Sequence, residues 1–104
     1  MENKRLRLTI FPMAQTDLEQ IFRYISVDLC NPAAAAELID DFQKAFDNIC
    51  AFPESCPRTN NAYVKDASLR KSVVGNYIAF YKVAADEVQI VRVLYGMRNF
   101  EGLL

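Results

Sequence analysis

The 104-residue sequence contains no histidine, no tryptophan and only three glycines. Without an imidazole, histidine-dependent activation of a serine or cysteine nucleophile is excluded, and proton transfer would fall to carboxylates, lysine or tyrosine. The glycines are scattered at Gly75, Gly96 and Gly102, so no phosphate-binding glycine loop is predicted. Enzyme classes that depend on a histidine base or on such a loop are therefore excluded.

Metal and membrane signals are also missing. Cys30, Cys50 and Cys56 form no CxxC pair, and without histidine their spacing fits no common zinc site, so we expect buried free thiols. We expect neither a cofactor nor a metal. No run of about 18 apolar residues exists, and the N-terminal apolar stretch is too short and too charged for a signal peptide. The expectation is one cytoplasmic domain over residues 1–104, without membrane contact.

Charge is distributed unevenly along the chain, although the net charge is only −1. Residues 14–54 carry eight acidic and two basic side chains, a net charge of −6. The remaining residues carry ten basic and five acidic side chains, a net charge of +5. This segregation predicts either two faces with different partners or simply a solvated surface.

Two amphipathic helices are predicted after a short strand. Apolar and polar residues alternate over residues 6–10, which is typical of a half-buried strand. From about Ala14 the period becomes helical. The first apolar stripe consists of Leu18, Ile21, Phe22, Ile25 and Leu29. Asn31 and Pro32 offer a capping side chain and a first-turn proline to a second helix that ends near Pro53. Its stripe consists of Leu38, Ile39, Phe42, Phe46 and Ile49.

Three strands are predicted after a polar loop at residues 53–68. They cover residues 69–74, 77–83 and 88–95, and Gly75 with Asn76 supplies a tight hairpin turn. The fold class is therefore α+β in the order β-α-α-β-β-β. Because neither helix can hide its apolar stripe alone, we expect a helical hairpin packed on a small antiparallel sheet.

The last strands interleave basic and aromatic residues, a pattern that suits RNA but is also common on exposed sheets. Strict alternation predicts that one face meets the helices and the other presents tyrosines and cations. The expected exposed cations are Arg70 or Lys71, Lys82, Arg92 and Arg98. Arg98 follows Gly96, where a flexible backbone would aim its guanidinium at a phosphate or carboxylate. A salt bridge to a helix acid is the alternative role for Arg98.

Several stretches together resemble one protein family, the RelE/ParE superfamily of toxins from type II toxin–antitoxin modules. These stretches are residues 14–25, 49–53, 69–70, 74–77, 80–83 and 88–98. The resemblance covers nearly the full length and implies a helical hairpin on a small antiparallel sheet. It also implies a toxin that a cognate antitoxin neutralises by wrapping it as extended or helical peptides.

The resemblance implies one of two activities. RelE-like members cleave messenger RNA on the ribosome, whereas ParE-like members inhibit DNA gyrase. The nuclease pattern commonly places an arginine directly after the central-strand tyrosine, but here Ile78 follows Tyr77, and the tail ends without a tyrosine. These departures favour a ParE-like gyrase inhibitor.

Alternatives remain a RelE-like endoribonuclease acting on ribosome-bound messenger RNA and a non-toxic remnant that binds its antitoxin. Exposed sheet edges also permit a homodimer when antitoxin is absent. Under the nuclease alternative the catalytic candidates are Arg70, Lys71, Tyr81, Tyr95 and Arg98. The target-binding candidates are Arg70, Lys71, Arg92 and Arg98.

Overall fold

The computed structural model describes residues 5–59 and 68–96. Its helices and strands follow one another in the predicted order β-α-α-β-β-β. The strands are β1 (Arg7–Ile10), β2 (Arg70–Val74), β3 (Tyr77–Ala84) and β4 (Glu87–Tyr95). The helices are α1 (Pro12–Arg23), which continues into a π-helical turn at Tyr24–Asp28, and α2 (Pro32–Ala51). In this part of the chain, neither helix has the length and apolar character needed to cross a bilayer.

The four strands form one mixed sheet in the spatial order β1-β4-β3-β2. Strands β2, β3 and β4 make the predicted antiparallel meander. Strand β1 instead joins parallel to β4, from Arg7 opposite Glu87 to Ile10 opposite Ile90. The sheet is therefore not wholly antiparallel, and its two edges are β1 and β2.

Helix α2 follows the sequence prediction closely. The Asn31 side-chain oxygen accepts a hydrogen bond from the Ala34 amide at 3.1 Å, and Pro32 occupies the first turn. Phe42, Phe46 and Ile49 are fully buried against the sheet, as the apolar stripe predicted. A helix with both a cap and a regular apolar period is the kind that a sequence predicts best.

The stripe predicted for the first helix is only partly buried. Ile21 lies in the core, but Phe22 is 42% exposed and Leu29 is 55% exposed, so their prediction as core residues is wrong. The Leu29 amide bonds to the Tyr24 carbonyl five residues earlier. A turn of this kind displaces later side chains from the α-helical period. Phe22 itself lies at the margin of the stripe.

The thiols differ from the expectation too. Cys50 is buried in the core, Cys56 is half-buried and Cys30 is exposed, and all three are free. The prediction of buried thiols therefore holds for Cys50 alone.

A bulge in β4 inverts the predicted alternation of its side chains. Phe80 pairs with Arg92, whereas Tyr81 pairs with Ile90, so Val91 is an extra residue on β4. Val88, Ile90 and Val93 consequently all join the core beneath the helices. One inserted residue shifts every later side chain to the other face.

Candidate functional site

A buried ion pair fastens α1 to β4. The Arg92 guanidinium donates to both carboxylate oxygens of Asp17, from Nε at 2.7 Å and from Nη2 at 3.0 Å. Both residues are only 9% exposed. The same carboxylate accepts the Val93 amide at 2.9 Å. Strand β1 ends before this point, so Asp17 supplies the acceptor that a longer edge strand would have supplied to β4.

Arg92 was predicted to stand on the exposed sheet face as a target-binding cation, and that placement is wrong. The bulge places Arg92 opposite Phe80, and the Asp17 carboxylate of α1 holds its guanidinium and encloses it. Hydrogen bonding to Asp17 raises the pKa of Arg92, so the side chain stays charged while it is enclosed. Arg92 therefore holds the fold together rather than facing a partner.

Tyr81 was a candidate catalytic residue under the nuclease alternative, as a possible acid–base group. The structure buries it completely, and its hydroxyl donates to the Pro53 carbonyl at 2.9 Å. Burial raises the pKa of Tyr81 far above its usual value. A phenol that is enclosed, already bonded and hard to ionise is unsuited to proton transfer with a bound substrate.

Three cations lie along the β2 edge, and we call Arg58, Arg70 and Lys71 the β2 basic cluster; as consecutive strand residues, Arg70 and Lys71 lie on opposite faces of β2. Arg58 lies directly opposite Arg70, where residues 57–59 run antiparallel beside the start of β2. Arg70 is half-buried and donates from Nη1 to the Cys56 carbonyl at 2.6 Å. Arg58 and Lys71 are exposed. A shallow groove of about 420 Å³ beside the cluster also includes Glu54.

An aliphatic row crosses the sheet face that points away from the helices; within it Leu94 is buried, Ile78 is half-buried and Val73 is exposed. The strand register aligns Val73 with Ile78 and Ile78 with Leu94. Ser72 and Val74 are buried, so Lys71 and Val73 point away from the helices. Val73 is 68% exposed. The half-buried apolar side chain of Ile78 therefore occupies the position where the nuclease pattern would place an arginine.

Tyr95 lies elsewhere, beside a groove of about 430 Å³ between α1 and the sheet. Its ring meets that of Tyr77 edge-on, with centroids 5.7 Å apart. Burial is the main factor that raises the pKa of Tyr77, and the nearby Tyr24 and Tyr95 hydroxyls raise it further. No sequence pattern identified Tyr24 or Gln20 as groove residues, because the π-helical turn that presents Tyr24 has no recognisable signature.

The nuclease candidates are therefore not brought together within the described residues. Arg70 and Lys71 lie at the β2 edge, whereas Tyr95 lies two strands away, roughly 10 Å to the side, on the helix-facing side of the sheet. Tyr81 is enclosed. Arg98 lies outside the described residues, as does the chain's tail. No group of three or more histidine, cysteine or acidic side chains in the described ranges is placed to hold a metal.

Comparison with known proteins agrees with this geometry. The family described as "ParE toxin of type II toxin-antitoxin system, parDE" matches residues 9–100. A chromosomal ParDE toxin–antitoxin system from P. aeruginosa has a TM-score of 0.71 and 19% identity, over 88% of this chain and 96% of that one. The RelBE2 toxin–antitoxin complex from Mycobacterium tuberculosis has a TM-score of 0.62 and 17% identity, over 88% of this chain and 99% of that one.

A comparison with curated protein sequences finds no significant match. At these identities the two solved structures establish the shared fold alone. The family match spans nearly the whole sequence, including both helices and all three strands of the meander. The chain therefore belongs to the ParE toxin family of type II toxin–antitoxin systems.

Proposed function

We propose that this protein inhibits growth by binding DNA gyrase and that a cognate antitoxin neutralises it. The family assignment supports a toxin role. The two similar structures are toxin–antitoxin systems, which supports an antitoxin partner here. The choice of gyrase over messenger RNA depends on the chemistry of the open sheet face.

The aliphatic row is the observation that favours binding over cutting. RNA cleavage by a protein needs cations around the developing phosphate charge and a group that activates the 2′-hydroxyl. Ile78 instead lies between Val73 and Leu94, in a row without charge. Apolar side chains flanked by a cation such as Lys71 are typical of a protein–protein contact.

Induction of the toxin without antitoxin tests the target. The gyrase proposal predicts filamentous cells, a DNA-damage response and cleaved plasmid, with translation initially intact. Purified toxin should inhibit gyrase supercoiling in the same concentration range that it binds gyrase. Rapid translation arrest with codon-phased cuts in messenger RNA would refute this target.

A substitution in the aliphatic row tests the surface. We expect Ile78→Arg to reduce toxicity at least tenfold, because enclosing an unpaired charge in an apolar interface costs more than about 1.4 kcal/mol. Val27→Arg is the control, since Val27 is an exposed valine on the π-helical turn, outside the sheet. Thermal unfolding of both variants checks that the fold survives. Increased toxicity of Ile78→Arg would instead support nuclease chemistry.

The β2 basic cluster keeps the endoribonuclease as the second candidate function. Three cations at one edge suit a phosphate backbone. Under this alternative, Arg58→Gln and Lys71→Gln should each lower messenger RNA cleavage on isolated ribosomes. Absence of ribosome-dependent cleavage by the wild-type protein would eliminate the alternative.

A further inference from the structure

Two arginines face each other at the start of β2. A short antiparallel pairing places Arg58 directly opposite Arg70. Main-chain hydrogen bonds of 2.8 and 3.1 Å flank the pair, one on each side, so both backbones are held in register. In a non-hydrogen-bonded pair of this kind the two side chains project to the same face and lie closest together. Like charges placed directly opposite repel, so this pairing is unfavourable without an anion between the guanidinium groups.

No carboxylate among the described residues neutralises the pair. Neither arginine takes part in an ion pair within these residues. Arg70 donates from Nη1 to the Cys56 carbonyl at 2.6 Å, and its other donors have no partner in the described part of the chain. The exposed Arg58 side chain has no hydrogen-bond partner there either. Two neighbouring guanidinium groups therefore keep most of their donors available for a ligand.

Both arginines line the shallow groove of about 420 Å³ at the β2 edge, which we call the arginine groove. Its other lining residues are Pro53, Glu54, Ser68 and Val83. A volume of this size lies within the range of small-molecule sites. The groove therefore combines two guanidinium groups and a hydroxyl with the apolar surfaces of a proline and a valine.

Lys71, the third member of the β2 basic cluster, does not line this groove. Arg70 pairs with Tyr81, on the side of the sheet that packs against the helices, whereas Lys71 pairs with Phe80. Consecutive strand residues point to opposite faces. The lysine is therefore a matched control for the arginines, because it carries the same charge at the same edge but on the other face.

We propose that the arginine groove binds the phosphoryl group of a nucleotide-sized phosphate monoester. Guanidinium groups bind phosphate through paired hydrogen bonds. A phosphate monoester carries about −1.5 to −2 charges at neutral pH, which balances two arginines, whereas one carboxylate leaves one of them uncompensated. The organic part of the ester lies against Pro53 and Val83. Such a group comes either from a free nucleotide or from the terminal phosphate of a nucleic-acid strand.

The test titrates adenosine 5′-monophosphate into the purified full-length protein, with adenosine as the matched probe that lacks the phosphate. We expect the nucleotide to bind at least about tenfold more tightly than adenosine. Arg58→Gln should weaken nucleotide binding about tenfold, whereas Lys71→Gln should change it less than about twofold. Glu54→Gln should strengthen binding, because it removes a like charge from the groove.

Two results of this titration would overturn the proposal. Equal losses for Arg58→Gln and Lys71→Gln would show a general attraction to a positive edge rather than a site. Absence of saturable nucleotide binding by the wild type up to about 10 mM would show that the groove holds no phosphate. Thermal unfolding of each variant checks that the fold is retained.

Arginine side-chain resonances give a second readout that needs no variant. The nucleotide should shift the Nε signals of Arg58 and Arg70 and leave that of Arg7 unchanged, because Arg7 is paired with Asp86 at 2.9 Å. The Val83 methyl signals should shift with the nucleotide and not with inorganic phosphate. Shifts at Arg7 as large as those at Arg58 would overturn the assignment to this groove.

Oligonucleotides separate the two sources of the phosphate. Tighter binding of a 5′-phosphorylated oligonucleotide than of adenosine 5′-monophosphate would identify a strand end as the ligand, and weaker binding would identify a free nucleotide. Both results support the site. Equal binding of the 5′-phosphorylated oligonucleotide and its unphosphorylated form would overturn the assignment to a monoester. The site does not depend on the target proposed above, since a toxin that inhibits gyrase and one that does not can both be titrated.

Discussion

Removal of the Asp17 carboxylate should destabilise the protein far more than removal of any exposed ion pair. Asp17 accepts two hydrogen bonds from Arg92 and one from the Val93 amide, at 2.7–3.0 Å. Asp17→Ala leaves a guanidinium charge and an amide buried without this acceptor. Breaking a buried pair from one side costs about 3–5 kcal/mol. For a domain of this size that is a large share of a stability of about 5–15 kcal/mol.

The measurement is the free energy of unfolding from urea titration, with helix and tyrosine signals followed together. Lys44→Gln is the control, because Lys44 pairs with Asp40 one helical turn away on an exposed surface. We expect that control to cost about 0.5 kcal/mol or less. Equal losses for Asp17→Ala and Lys44→Gln would refute the role assigned to the buried pair.

A double variant tests whether the stability lost in each single variant comes from leaving the other charge buried without its partner. Asp17→Leu with Arg92→Met removes both charges and keeps apolar volume, so much of the stability lost in either single variant should return. The Val93 amide still lacks its acceptor, so we expect recovery to stop about 1–3 kcal/mol short of the wild type. Full additivity of the two single losses would show that Asp17 and Arg92 act independently.

Two further predictions concern individual hydrogen bonds. Tyr81→Phe removes the bond to the Pro53 carbonyl and should cost about 1 kcal/mol of unfolding free energy without lowering toxicity, whereas a catalytic Tyr81 would make the variant inactive. A hydrogen bond from Thr9 lowers the pKa of Glu87 below its ordinary value of 4.5. The ionised carboxylate therefore stabilises the folded state above pH 4.5. This contribution is lost as the pH falls through the folded-state pKa of Glu87. Thr9→Val should therefore make the stability curve fall less steeply as the pH decreases below 4.5, and an unchanged acid limb would contradict the assignment.

The sequence was sufficient for the elements whose signals are local. Helix α2 has its cap, its first-turn proline and its apolar period within about 20 contiguous residues. The β2–β3 hairpin carries its turn at Gly75 and Asn76, and Gly75 has the positive φ of 58° that glycine tolerates. Such signals need no knowledge of distant residues.

The sequence was insufficient where the outcome depends on distant partners or on one irregular residue. Asp17 and Arg92 are separated by 75 positions, and nothing local distinguishes Asp17 from the neighbouring Glu19 on the same helix. The extra Val91 moves Arg92 opposite Phe80, off the face of Val88 and Ile90, and only the distant Asp17 carboxylate explains why it is buried there. Candidate site residues were therefore harder to place than the strands that carry them.

The fold closes its two sheet edges by different means. Where β1 ends, Asp17 takes over the exposed edge of β4 with a side chain. Where β2 begins, residues 57–59 cover its edge until Pro57 interrupts the pairing. The outward main-chain positions Leu8 and Val73 differ in their surroundings: Arg5 and Arg7 near Leu8 pair with carboxylates, whereas Arg58 and Lys71 near Val73 have none among the described residues. Electrostatics therefore distinguishes two sheet edges that the backbone alone leaves equivalent.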